Sequence, residues 1–157
     1  MVYRRRRILL TEVGRQCRFA MIAYSDASAA LEKRDAERCW YSLQGLIAAA
    51  IGLRGLLWPA AGASFAWAVE LRAALEVTDD SPLNQPQLLS AADPIATLES
   101  SNWLSDAAPA ESVRCFDPET GAFTIFGSVV ELPPLLTAIA ELAQKAERES
   151  QHLREVV

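Results

Sequence analysis

Arg148 and His152 stand four residues apart near the end of the chain, in R-x3-H spacing. On a helix, residues i and i+4 share a face. A guanidinium beside an imidazole suits RNA cleavage by transesterification, the histidine moving protons near neutral pH and the arginine holding phosphate. Glu147, Glu149 and Glu155 crowd the same stretch, and the plainer reading is a solvated helix face in a fraying terminus. His152 is the only histidine among 157 residues, so neither a Cys/His metal site nor a Ser/His/Asp hydrolase draws support from this chain.

Other groups with chemical potential read as structural. Cys17, Cys39 and Cys115 are odd in number and far apart, with no C-x-x-C pair. They read as free thiols in a reducing, cytoplasmic setting. Asp79, Asp80 and Asp93 have the charge to collect Mg²⁺, but turn and cap roles explain them as well. "GLRG", residues 52–55, lies inside an apolar run and is no phosphate-binding loop. No metal or cofactor is expected.

Composition frames these residues. With 51% apolar and 22% charged side chains, the chain has the make-up of one ordinary globular domain over residues 1–157. Residues 1–38 carry nine basic and five acidic side chains, whereas the remainder carries six and fifteen. A basic arm over residues 1–7 on an otherwise acidic chain is not the broad basic face of a nucleic-acid binder. Only Ile8, Leu9 and Leu10 follow before polar residues return, so a secretory leader is not expected. "CWYSLQGLIAAAIGLRGLLWP", residues 39–59, holds one formal charge, Arg54. Ser42 and Gln44 also interrupt it, which argues for a core helix over a membrane span.

Two long helices follow from periodicity. Leu10, Val13, Cys17, Ala20, Tyr24, Ala27 and Leu31 recur at 3-4 spacing, a heptad seam over a helix near 8–33. Arg15, Arg18 and Asp26 lie off it. "EKRDAER" then makes a short polar link to a second helix near 38–57, stopped by Pro59. Gly45, Ala48, Ala49, Gly52 and Gly55 fall along one side of that helix, where small residues let a neighbour approach closely. Leu46, Ile47, Leu53 and Leu57 on the other side also need cover, so the helix is expected near the middle of a bundle.

Downstream, Ser64 is a candidate N-cap for a short helix over 65–76, and "TDDSPL" is a turn. A helix through Pro94 would be costly, so Asp93 is expected to cap a new helix with Pro94 at its first position. Residues 113–126 read as a β-hairpin around "DPETG", with Gly121 supplying the positive φ. Leu132, Leu135, Leu136, Ile139, Leu142, Ala143 and Ala146 give a last amphipathic helix near 133–150, opened by Pro133 and Pro134, with a frayed tail over 151–157.

The pieces "CWYSLQGLIAAAIGLRGLLWP", "ELRAALEVTDDSPL" and "FDPETGAFTIFGSVVELPPLL", in that order between Arg38 and Ala146, resemble a group of bacterial HEPN-like proteins (higher eukaryotes and prokaryotes nucleotide-binding). The resemblance implies an antiparallel bundle of four to five helices, often a homodimer. Many members are metal-independent ribonucleases of toxin–antitoxin and phage-defence systems, which adds a cognate antitoxin as a possible protein partner. The family's catalytic motif pairs an arginine and a following polar residue with a histidine a few positions on. Here the corresponding positions hold Leu89, Ser90 and Pro94. Neither Leu89 nor Pro94 can move a proton or meet the charge of a phosphorane.

The expectation is therefore a mainly α bundle with one short hairpin, acting without catalysis through dimerisation or partner binding. A ribonuclease that uses Arg148 and His152 is the alternative, and nucleotide or small-ligand binding within the bundle is a second. RNA remains an open partner, and no membrane association is expected.

Overall fold

A computed structural model describes residues 2–60, 65–92, 114–125 and 128–155. Helix α1 (Val2–Glu32) runs 31 residues, about 46 Å at 1.5 Å per residue. It begins at Val2, so Arg4 to Arg7 are not the separate arm expected ahead of the helix. They form its opening turns, and Arg6 is tied by its Nη2 to Glu149, 2.6 Å away.

The turn out of α1 is built from two hydrogen bonds. Asp35 N–H reaches back to the Ala30 carbonyl at 2.9 Å and Arg34 N–H to Leu31 at 3.0 Å. This is the Schellman closure, with Arg34 in the left-handed region at φ 56°. Asp35 also opens the next helix, because its Oδ1 accepts from Arg38 N–H at 3.0 Å. One residue thus ends α1 and starts α2 (Ala36–Leu57), giving the expected antiparallel hairpin.

The seam of α1 holds for Leu10, Val13, Cys17, Ala20 and Ala27, all buried. It fails at Tyr24 and Leu31, which are exposed, while Ala30 is buried instead. A seven-residue repeat drifts about 20° per heptad on a straight helix, so three heptads move Leu31 roughly 60° away from the line through Leu10.

Beyond α2, a polar cluster satisfies the helix end. Trp58 N–H bonds the Arg54 carbonyl at 2.7 Å, and Arg72 donates to the Leu57 carbonyl. Arg72 also lies over the Trp58 ring, 5.6 Å from its centroid, and Trp58 Nε1 donates to Asp79 at 2.7 Å. These contacts join α2 to α3 (Phe65–Ala74) and to the turn that follows. α3 ends in a second Schellman closure, with Glu76 at φ 50°. The "DDSPL" turn is a short 3-10 helix over Pro82–Asn84 capped by Ser81, which sinks Leu83 into the core. α4 (Pro86–Ala92), with Pro86 at its first position and Leu88 fully buried, is a helix that periodicity did not reveal. The caps expected of Ser64 and of Asp93 with Pro94 lie outside the described residues.

The hairpin is present and has a third strand. β1 (Arg114–Asp117), β2 (Ala122–Ile125) and β3 (Ser128–Glu131) form an antiparallel sheet in order β1-β2-β3. The single hairpin expected over 113–126 is thus extended, because "SVVE" folds back rather than leading straight into the last helix. Phe123 pairs with Val130 across the register, and both are buried against the bundle. The Phe123 ring meets Trp40 of α2 at 5.4 Å. Gly121 has φ 70°, and a β-carbon there would come within 3.0 Å of Pro133.

α5 (Leu132–Glu155) packs antiparallel along α1 through Leu135, Ile139, Leu142 and Ala146. It continues through the segment expected to fray, holding Leu153 buried near its end. The fold is mainly helical, with five α-helices and one small sheet among the described residues. No described helix is long and apolar enough to cross a membrane.

Candidate interaction face

Helices α1 and α2 each bury one side in the core and leave another open. On α2, Leu46, Ile47, Leu53 and Leu57 are buried as expected, and so is Ala49. Gly45, Ala48 and Gly55 are exposed and Gly52 is half-buried. Ala48 and Gly55 therefore face outward, whereas Gly45 and Gly52 border α1. α2 lies among the other elements as expected, with α1, α3, α4 and the 3-10 turn against it, and only the strip through Ala48 and Gly55 is left open by the described residues.

The open side of α1 adjoins the open side of α2. A β-carbon at Gly45 would stand 3.6 Å from Ala23 Cβ, and one at Gly52 would stand 3.1 Å from Gln16 Oε1. Around this contact line the chain displays large apolar side chains. Phe19 is 51% exposed, Ile22 59% and Tyr41 76%. Charges punctuate the face: Arg15 pairs with Glu12 at 3.0 Å, and Asp26 has no ion-pair partner among the described residues.

Gly45 and Gly55 have a cost without an internal return. Glycine inside a helix is about 0.5–1 kcal/mol less stable than alanine. At Gly55 a methyl group would meet nothing within 4 Å, and at Gly45 it would make only ordinary contact. Nothing in the folded chain requires their small size. The signal that could have found this face is Phe19 and Ile22, apolar residues three apart that fall off the seam of α1.

The structure separates the candidate catalytic residues from any enclosed site. Arg148 and His152 share one exposed side of α5, the side turned away from buried Ala146 and Leu153. Leu89 is 47% exposed on α4, Ser90 lies in the same helix, and Pro94 is outside the described residues. Asp79 serves Trp58, and Arg72 lies 3.8 Å from it. Asp80 instead accepts from Thr78. Cys17 and Cys39 are buried thiols. Burial pushes the Cys17 thiol up to about 12 from 9.0 and raises Cys39 as well, with Asp35 adding to the latter. Neither is a ready nucleophile.

A cleft of about 520 Å³ opens between the start of α1 and α3, lined by Arg5, Arg6, Leu9, Trp67 and Glu70 among others. Its apolar floor and mixed charges are the closest feature to a small-ligand site.

No family model matches the chain, and no curated protein or solved structure matches it either.

Proposed function

We propose that the chain is a HEPN-like helical bundle without the family's RNA-cleaving chemistry, which works by protein contact through the outer face of the α1–α2 hairpin. The observation that carries this reading is the concentration of Phe19, Ile22 and Tyr41 on that face, each more than half exposed. Exposed aromatic and aliphatic anchors around a surface of small residues favour a packed helical partner. The setting that the resemblance implies is toxin–antitoxin or phage defence, with a second copy or a cognate antitoxin as the partner. Two buried thiols support a cytoplasmic place of work.

Chemistry supports the non-catalytic part. General acid–base help is worth about 10²–10⁴-fold, and stabilising developing charge is often worth more. Leu89 and Pro94 supply neither. Residues 70–131 carry eleven acidic and two basic side chains, a charge balance that repels a phosphate backbone.

Arg148 and His152 carry the competing reading, because they do share an exposed helix face. Purified protein incubated with total RNA and with tRNA tests both. No cleavage is expected from wild type, His152→Ala or Arg148→Ala. Cleavage by wild type that vanishes in either variant would overturn the proposal and move the activity to α5. Cleavage that survives both substitutions would overturn it too, by pointing to a site elsewhere.

A further inference from the structure

The outer face of the hairpin is complementary to itself. On α1, Arg15, Phe19, Ile22 and Asp26 follow one another at 4-3-4 spacing, all exposed. Laid antiparallel on a second copy, this row sets Arg15 against Asp26 and Phe19 against Ile22. On α2, Tyr41 and Gly55 lie seven residues either side of Ala48, so the same reversal sets Tyr41 against Gly55.

The two reversals share one axis. Gly45 stands beside Ala23 and Gly52 beside Gln16, so a step forward on α1 is a step back on α2. The midpoint between Phe19 and Ile22 therefore stands beside Ala48, within one residue. A single twofold axis lying across both helices at that level satisfies both rows. It also leaves every helix antiparallel to the neighbour it packs on, the arrangement of helical bundles.

We propose that a second copy of this chain packs on the outer face of the α1–α2 hairpin about a twofold axis at Ala48, with Arg15 of each copy paired to the partner's Asp26. Charge complementarity selects this occupant. Asp26 has no ion pair among the described residues, and Arg15 bonds only Glu12 through one of its donors, which leaves others of its fork free. Within one chain Arg15 and Asp26 are about 16 Å apart along the helix and cannot meet. Shape agrees with charge. Tyr41 is 76% exposed, and the position it would cover on the partner, Gly55, has open space where a β-carbon would point.

The proposal rests on the reading of this face as the working surface, and its test is independent of RNA cleavage. Sedimentation of the full chain should give twice 17.2 kDa. Arg15→Asp and Asp26→Arg each turn two attractions into two repulsions, and each should raise the dimer dissociation constant about 30-fold. An equimolar mixture of the two variants should recover the dimer, because a mixed pair has opposite charges at both contacts. Gly55→Trp, whose β-carbon would meet nothing within 4 Å inside the chain, should abolish the dimer with an unchanged helical circular dichroism spectrum.

A wild-type monomer, dimers indifferent to the charge reversals, or a mixture that stays apart would each overturn the proposal. A monomer that cleaves no RNA would leave the non-catalytic reading standing. A dimer that cleaves RNA would do the reverse.

Discussion

Gly45→Ala should make the folded chain more stable and the assembled one less so. Gly45 sits in the middle of α2 with ordinary helical geometry, since the only positive-φ glycine among the described residues is Gly121. Alanine gains about 0.8–1 kcal/mol over glycine at such a position by restricting the unfolded chain. The new methyl group would lie 3.6 Å from Ala23 Cβ, a normal van der Waals distance, so no clash offsets the gain. For a chain of this length about 1 kcal/mol raises Tm by about 2–4 °C.

Gly52→Ala provides the control. There the methyl group would come within 3.1 Å of Gln16 Oε1 and 3.3 Å of its Cδ, so Gln16 must shift. Gln16 is held by its Nε2 on Glu12 at 2.8 Å, and moving it gives up a hydrogen bond worth about 0.5–1 kcal/mol. The expected gain therefore falls to roughly half that of Gly45→Ala or less. Urea denaturation followed by circular dichroism, in an Asp26→Arg background at low protein concentration, isolates the monomer and reads both values from the midpoint at constant m. In the wild-type background Gly45→Ala should weaken association, since the methyl group falls close to the partner's Gly52. A loss of stability in the monomer on Gly45→Ala would refute the reasoning, because α1 and α2 would then approach more closely than this spacing allows.

Phe123→Ala should cost about 3–5 kcal/mol, as the side chain is fully buried and holds the sheet against Trp40; a loss below 1 kcal/mol in urea titrations would show that the sheet is not docked there. The folded chain holds the Cys17 proton more tightly than the unfolded chain does, so its contribution is complete below pH 9 and is lost as pH rises towards about 12. That amounts to about 4 kcal/mol at the upper limit, and an unchanged alkaline stability profile in Cys17→Ala would refute it. At the hairpin turn, the Thr120 hydroxyl and the Glu119 amide hold the Asp117 carboxyl below its ordinary value of 3.8. The turn should keep that support above pH 3.8 and lose it only as pH falls through the lower folded value, and an NMR titration midpoint at or above 3.8 would contradict this.

Much of the framework was legible because local rules and packing agree there. Polar residues between two strongly periodic stretches marked the α1–α2 turn, and Asp35 closes one helix while capping the other. Gly121 was readable because a tight loop after "DPET" needs a left-handed residue. α4 was not legible: seven residues hold fewer than two helical repeats, and Pro86 and Pro94 punctuate the stretch more loudly than Leu88 does. β3 was missed for a related reason. Four residues running into a proline-opened helix show no alternation beyond Val130, whose burial depends on Phe123 in the neighbouring strand.

The candidate site was harder to read, and the cause is physical. Periodicity shows that a helix has an apolar side; it does not show whether the same chain supplies the cover. α2 is apolar nearly all round, which describes equally a helix buried within one chain and a helix buried between two. The structure distinguishes these by geometry, because α1, α3 and α4 cover the leucine side and leave Gly45, Ala48 and Gly55 to solvent. The discriminating residues on α1 are the ones a seam leaves out. Ile22 and Phe19 contribute nothing to the core that Leu10, Val13, Cys17 and Ala20 define, yet they occupy a side where a solvated helix would carry lysine or glutamate. An apolar residue off the core stripe of a long helix is a weak signal alone. Flanked by Arg15 and Asp26 at reversible spacing, it becomes a statement about what lies against it.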